Sequence, residues 1–117
     1  MTSSATRSFA GRARVATGSV PTRATQPYGV EVGGAGLTLL LADVGATVLQ
    51  VPLARVSARP AGRAGAVVIE VDGAPLRVDF TVRHPGSGPA HAVRRVSDAL
   101  AGRRVRRSFL AAVGSGR

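Results

Sequence analysis

Cysteine is absent from this chain of 117 residues, which removes disulfides, thiolate metal sites and cysteine nucleophiles together. Lysine is absent too: all 16 basic residues are arginine, set against 6 acids. Two histidines and so few carboxylates leave little from which to assemble a reaction centre. Aromatic residues are scarce, with three phenylalanines, one tyrosine and no tryptophan, so a surface that stacks nucleic-acid bases is hard to build. The apolar runs, such as residues 39–42, fall far short of the roughly 20 residues of a membrane-spanning helix. Residues 1–30 contain no acid and are rich in Arg, Ser, Thr and Ala, a composition shared by organellar transit segments and flexible bacterial N-termini. No apolar segment of signal-peptide length follows Arg7, so a cleaved export signal is not expected and the flexible N-terminus is the reading adopted.

What is present is organised around residues 67–83. Val67, Ile69 and Val71 alternate with Val68, Glu70 and Asp72; Leu76, Val78, Phe80 and Val82 alternate with Arg77, Asp79, Thr81 and Arg83. Period two predicts two strands with one buried and one wet face. Asp72-Gly73 between them supplies the turn chemistry of a hairpin. Upstream, the same alternation predicts strands through Phe9 to Ala16, Tyr28 to Val32, Leu37 to Leu41 and Thr47 to Leu53, with a short continuation through Val56 and Ala58. Pro52 marks an edge or a strand end, because it cannot donate a ladder hydrogen bond. Gly33-Gly34-Ala35-Gly36 reads as a turn or bulge, since it lacks the lysine and hydroxyl of a phosphate-binding loop.

Helical spacing begins after Ser87-Gly88-Pro89, where Pro89 suits the first helical position and Gly88 or Ser87 the cap. Ala92, Val93, Val96, Ala99 and Leu100 form an apolar stripe that is expected to lie on the sheet. An unbroken helix would carry that stripe on through Arg103, Arg104 and Arg107, so Gly102 is read as its end. A second, basic amphipathic helix then places Val105, Phe109, Ala112 and Val113 on one side and Arg103, Arg104, Arg106 and Arg107 on the other.

The resulting class is mainly β with a C-terminal helix: an antiparallel, partly open barrel or roll of five to seven strands. Three segments are expected, a basic and flexible 1–26 with a candidate strand at 9–16, a β domain with its capping helix at 27–102, and a basic amphipathic tail at 103–117. The order of strand 37–41, strand 48–53 running into VPLARVSAR, the hairpin about Asp72-Gly73 and the helix 90–101 resembles the pleckstrin-homology-like superfamily in its small bacterial form. The resemblance implies two nearly orthogonal sheets plugged at one end by the helix, and a docking role. The usual seven strands require 9–16 to supply one. No dense basic loop of the sort that clasps phosphoinositide head groups lies between the first strands.

Charge is distributed as unevenly as structure. Of the net +10, residues 1–23 carry +4, residues 24–89 balance, and residues 90–117 carry +6. Basic ends on a neutral core argue for an anionic partner, or for charge that merely maintains solubility. His84 and His91 lack further ligands for a metal. Asp72 and Asp79 are explained by the turn and by pairing with Arg77 or Arg83 rather than by acid-base work. No catalytic residue, cofactor or metal is therefore assigned. The candidate contact set is Arg103, Arg104, Arg106, Arg107, Phe109 and Val113. A protein partner or a second copy of the chain would cover its apolar side. An anionic lipid surface or, less favoured, nucleic acid would meet its arginines. The bland alternative is that this helix folds back on its own sheet or frays. The reading adopted is a non-enzymatic, cytoplasmic docking module, peripheral at the membrane in the lipid case; a small enzyme or ligand-binding barrel is the alternative, favoured if polar groups converge in a deep pocket.

Overall fold

A computed structural model describes residues 6–14, 26–34, 36–41, 44–81 and 86–115, with the backbone alone for 12–14, 26 and 115. Among the described residues, seven antiparallel strands and one helix follow in order: β1 (Arg7–Arg14), β2 (Gln26–Gly33), β3 (Gly36–Leu41), β4 (Thr47–Val51), β5 (Val56–Pro60), β6 (Ala66–Val71), β7 (Ala74–Asp79) and α1 (Pro89–Ser115). A short 3-10 turn, Leu53–Arg55, separates β4 from β5 immediately after Pro52. The strand order is β4-β3-β2-β1-β7-β6-β5. Four-stranded and three-stranded meanders are thus joined through β1 and β7, whose pairing covers only Arg12–Asp79, Ala13–Val78 and Arg14–Arg77. With β4 and β5 as the two edges, the sheets do not close into a barrel.

The β6-β7 hairpin follows from its residues. Val71 pairs with Ala74 across Asp72 and Gly73, both at positive φ, which matches the right-handed twist of the strands it joins. Val67, Ile69, Leu76, Val78 and Phe80 are buried, whereas Arg77 stays exposed. At the β2-β3 turn only glycine fits position 36: φ is +117° and an added Cβ would overlap the Val51 carbonyl. Ala35, Val82, Arg83 and His84 fall outside the described residues. Strand β1 supplies the strand expected at 9–16, with Phe9 buried.

One core runs through the molecule, with Phe9, Tyr28, Val30, Val32, Leu37 and Leu39 from one meander and Val56, Val67, Ile69 and Val78 from the other. The chain's three phenylalanines meet there. Phe109 stands edge-on to Phe9 with centroids 5.4 Å apart and lies 5.0 Å from Phe80, while Phe9 and Phe80 are 6.0 Å apart. Rings at such spacings add about 0.5–1.5 kcal/mol per pair beyond the area they bury. The lid on the sheet is therefore built around Phe109.

Two expectations are corrected by this helix. It does not break at Gly102, so the boundary expected between 102 and 103 falls in mid-helix. Nor does the stripe of Ala92, Val93, Val96 and Leu100 lie on the sheet: Val93, Val96 and Leu100 are 71, 62 and 50% exposed. Phe109 and Val113, candidate partner contacts beside the alternative that their helix folds back on its own sheet, are 0 and 2% exposed within the core, as that alternative has it. The physical reason is that the helix from Gly102 onward can turn only one face to the sheet. Burying the Leu100 stripe would draw Arg103 and Arg107 in with it, at several kcal/mol per unpaired ion. Burying Phe109 and Val113 gains about 1.5–3 kcal/mol for each side chain and leaves those guanidiniums in water.

Candidate functional site

The C-terminal helix owes its inward face to glycine. A Cβ added at Gly102 would sit 2.6 Å from Thr81 Oγ1 and 3.1 Å from the Gly65 nitrogen, so the helix crosses the backbone before β6 nearly in contact. Gly65 is itself held on both sides: its N–H donates to Thr81 Oγ1 at 2.9 Å and its carbonyl accepts from the Phe80 N–H at 3.0 Å. Arg106 continues this seam, donating from Nη1 to the carbonyls of Gly62 at 3.3 Å and Ala66 at 3.2 Å. The helix starts where the sequence indicates, with Pro89 first and the Gly88 carbonyl accepting from the Ala92 N–H at 3.1 Å. Of residues 89–101, only His91, Asp98 and Ala99 are half-buried and the others are exposed.

The candidate contact residues are accordingly divided. Phe109 and Val113 hold the helix to the sheet, Arg106 ties it to the 62–66 loop, and Arg103, Arg104 and Arg107 remain exposed. The outward face of α1 then presents Val93, Val96 and Leu100 in its first half and Arg103, Arg104 and Arg107 in its second. That exposed apolar stripe was hidden from the sequence by its own quality. A regular stripe of this kind is ordinarily the one a helix buries.

Elsewhere the charged side chains serve structure. Arg55 takes both oxygens of Asp72 in a bidentate ion pair, with Nε 2.9 Å from Oδ1. Its guanidinium holds the Asp72 carboxyl below the usual carboxylate range, while the arginine is raised in turn by Asp72. Arg59 Nη1 meets Glu70 Oε1 at 2.7 Å. Asp79 Oδ1 accepts from the Thr81 N–H at 2.9 Å, and Arg77 donates to the Ala61 carbonyl at 3.5 Å. The partners expected for the acids were Arg77 or Arg83. The first is directed to a backbone carbonyl instead, and Asp72 takes Arg55, which the 3-10 turn brings beside the hairpin tip. Among the described residues there is no group of three or more His, Cys, Asp or Glu able to hold a metal, and no helix long and apolar enough to cross a membrane. Comparison of the chain with protein-family models, curated proteins and solved structures yields no match.

Proposed function

We propose that this chain is a non-enzymatic, cytoplasmic docking module of pleckstrin-homology-like type, whose contact is the outward face of α1 and whose partner is an acidic protein. One observation carries the reading: an ordered helix pinned by Phe109 and Val113 turns Val93, Val96 and Leu100 to solvent beside exposed arginines. Contiguous exposed apolar side chains edged by charge are characteristic of contact surfaces. Charge complementarity selects the partner. Residues 90–117 carry +6, so an acidic surface is drawn in and a basic one repelled. Seven strands in two meanders followed by a helix support the superfamily resemblance, with β1 as the strand that the sequence left in question.

The test is photocrosslinking in the cells that make the protein, with a benzophenone side chain at Val96 and, as a control, at exposed Val48 on edge strand β4. Discrete protein adducts from position 96, absent from position 48 and lost when Arg103 and Arg107 are changed to Ser, are the expected result. Identical adducts from both positions, or adducts to lipid or nucleic acid alone, would overturn it.

A further inference from the structure

The outward face of α1 has a finer order than exposure alone reveals. Val93, Val96, Leu100, Arg103 and Arg107 succeed one another at intervals of three, four, three and four residues, the alternation of a coiled-coil seam. Gly102, Val105, Phe109 and Ala112 occupy positions on the opposite side, which is the side that meets the sheet. From Val93 to Arg107 the seam is about 21 Å long at 1.5 Å per residue. Resting on the docking reading above, we infer that the partner presents an α-helix along this seam, with apolar residues over Val93, Val96 and Leu100 and acidic residues over Arg103, Arg104 and Arg107.

The order of residues along the axis selects this occupant over the others. A second copy paired along the whole seam fits in neither direction, and one shifted so that Val93 meets Leu100 leaves the arginines without an acidic partner. In parallel pairing Arg103 meets Arg103 and Arg107 meets Arg107; in antiparallel pairing Val93 faces Arg107 and Val96 faces Arg103. Each arrangement buries guanidiniums without an acid, because the helix carries only Asp98, and Asp98 is half-buried on the far side from the seam. A planar anionic bilayer asks for apolar and cationic residues sorted around a helix, with large apolar side chains to sink. Here Arg94 and Arg95 flank the apolar half, but the seam itself runs from aliphatic residues into Arg103 and Arg107, where a bilayer would take apolar groups, and no aromatic residue stands on it. Duplex nucleic acid would set three aliphatic side chains against phosphates, which take polar and cationic contacts. A helix that is apolar in one half and acidic in the other satisfies both halves. The seam is formed in advance, since Phe109 and Val113 anchor the helix behind its second half and the first half continues the same helix, so docking requires little ordering of this chain.

The probe is a synthetic helical peptide of about three heptads, with Leu at the seam positions of one half and Glu at those of the other. It is made in both sequence directions and beside a scrambled peptide of equal composition. Fluorescence anisotropy with the full chain should show saturable binding in one direction. The double variant Arg103→Glu with Arg107→Glu should weaken it at least about tenfold, and a peptide with Arg in place of Glu should restore binding to that variant. The variant should keep its thermal midpoint, because the replaced side chains are exposed. Binding no better than that of the scrambled peptide, or no restoration by the charge-swapped one, overturns the helical partner. Retention on phosphatidylserine vesicles or duplex DNA that is lost on changing Val96 and Leu100 to Ser overturns it in favour of that surface. Failure of the peptide alongside protein adducts from position 96 would sink the helical partner and leave the docking reading intact.

Discussion

Leu100 and Phe109 belong to the same helix, yet the same truncation should treat them differently. Phe109 fills the space between Phe9 and Phe80, so Phe109→Ala should cost about 3–5 kcal/mol of unfolding free energy. Leu100→Ala, at a half-exposed position on the outward face, should stay within about 0.5 kcal/mol. Denaturant titration of the two variants checks the assignment of faces directly. Asp72 offers a second measurement. Its folded carboxyl is held below the usual range by Arg55, so the pair stabilises the fold above the unfolded carboxyl's pKa and ceases to do so as pH falls through the folded value. A carbon-detected NMR titration should find Asp72 below its ordinary position, and Arg55→Ala should return it there and flatten the loss of stability in acid. Asp79 also has a local role, accepting from the Thr81 amide.

At the scale of elements, Gly102 and Gly114 form a natural pair of controls. Both lie in α1, where glycine costs up to about 1 kcal/mol relative to alanine. An added methyl at Gly114 meets nothing within 4 Å, whereas at Gly102 it meets Thr81 Oγ1 at 2.6 Å. That hydroxyl is held by its hydrogen bond from Gly65, so moving aside sacrifices that bond. Gly114→Ala should therefore stabilise by a few tenths to about 1 kcal/mol, less the fraying of a helix end. Gly102→Ala should destabilise by about 1–3 kcal/mol, the usual cost of overpacking. Opposite signs in chemical denaturation would establish that close approach keeps glycine at 102. The hairpin, the β3 strand and the helix start are all legible in the sequence because their signals are local: alternation, Asp72-Gly73 and Pro89. The role of Gly102 is not, since a glycine that ends a helix and a glycine that lets a helix touch a distant backbone look alike in one dimension.

For the molecule as a whole, the segment after Gly102 is part of the fold. It carries Phe109 and Val113, whose burial contributes about 1.5–3 kcal/mol each. Domains have about 5–15 kcal/mol in total, so a chain ending at Gly102 should lose much or all of its cooperative unfolding transition. Near-ultraviolet dichroism, read from the aromatic cluster, should collapse in the truncated chain. A truncated version with an unchanged transition would show that the sheet is complete without its helix. Loss of partner binding after such a truncation says nothing about contacts, and the exposed-residue variants at Val96, Leu100, Arg103 and Arg107 are the ones that separate binding from folding.

Spacing along the chain was sufficient to determine that strands of alternating character precede a helix, that Asp72-Gly73 reverses the chain, and that positive charge gathers near the ends, because each depends on residues close together in sequence. It also located both apolar stripes of the helix. Which of the two turns inward was decided only in three dimensions, by Phe9, Phe80 and the Gly65 backbone lying across from it. Periodicity records that a face exists, and only the surface opposite determines which face is covered.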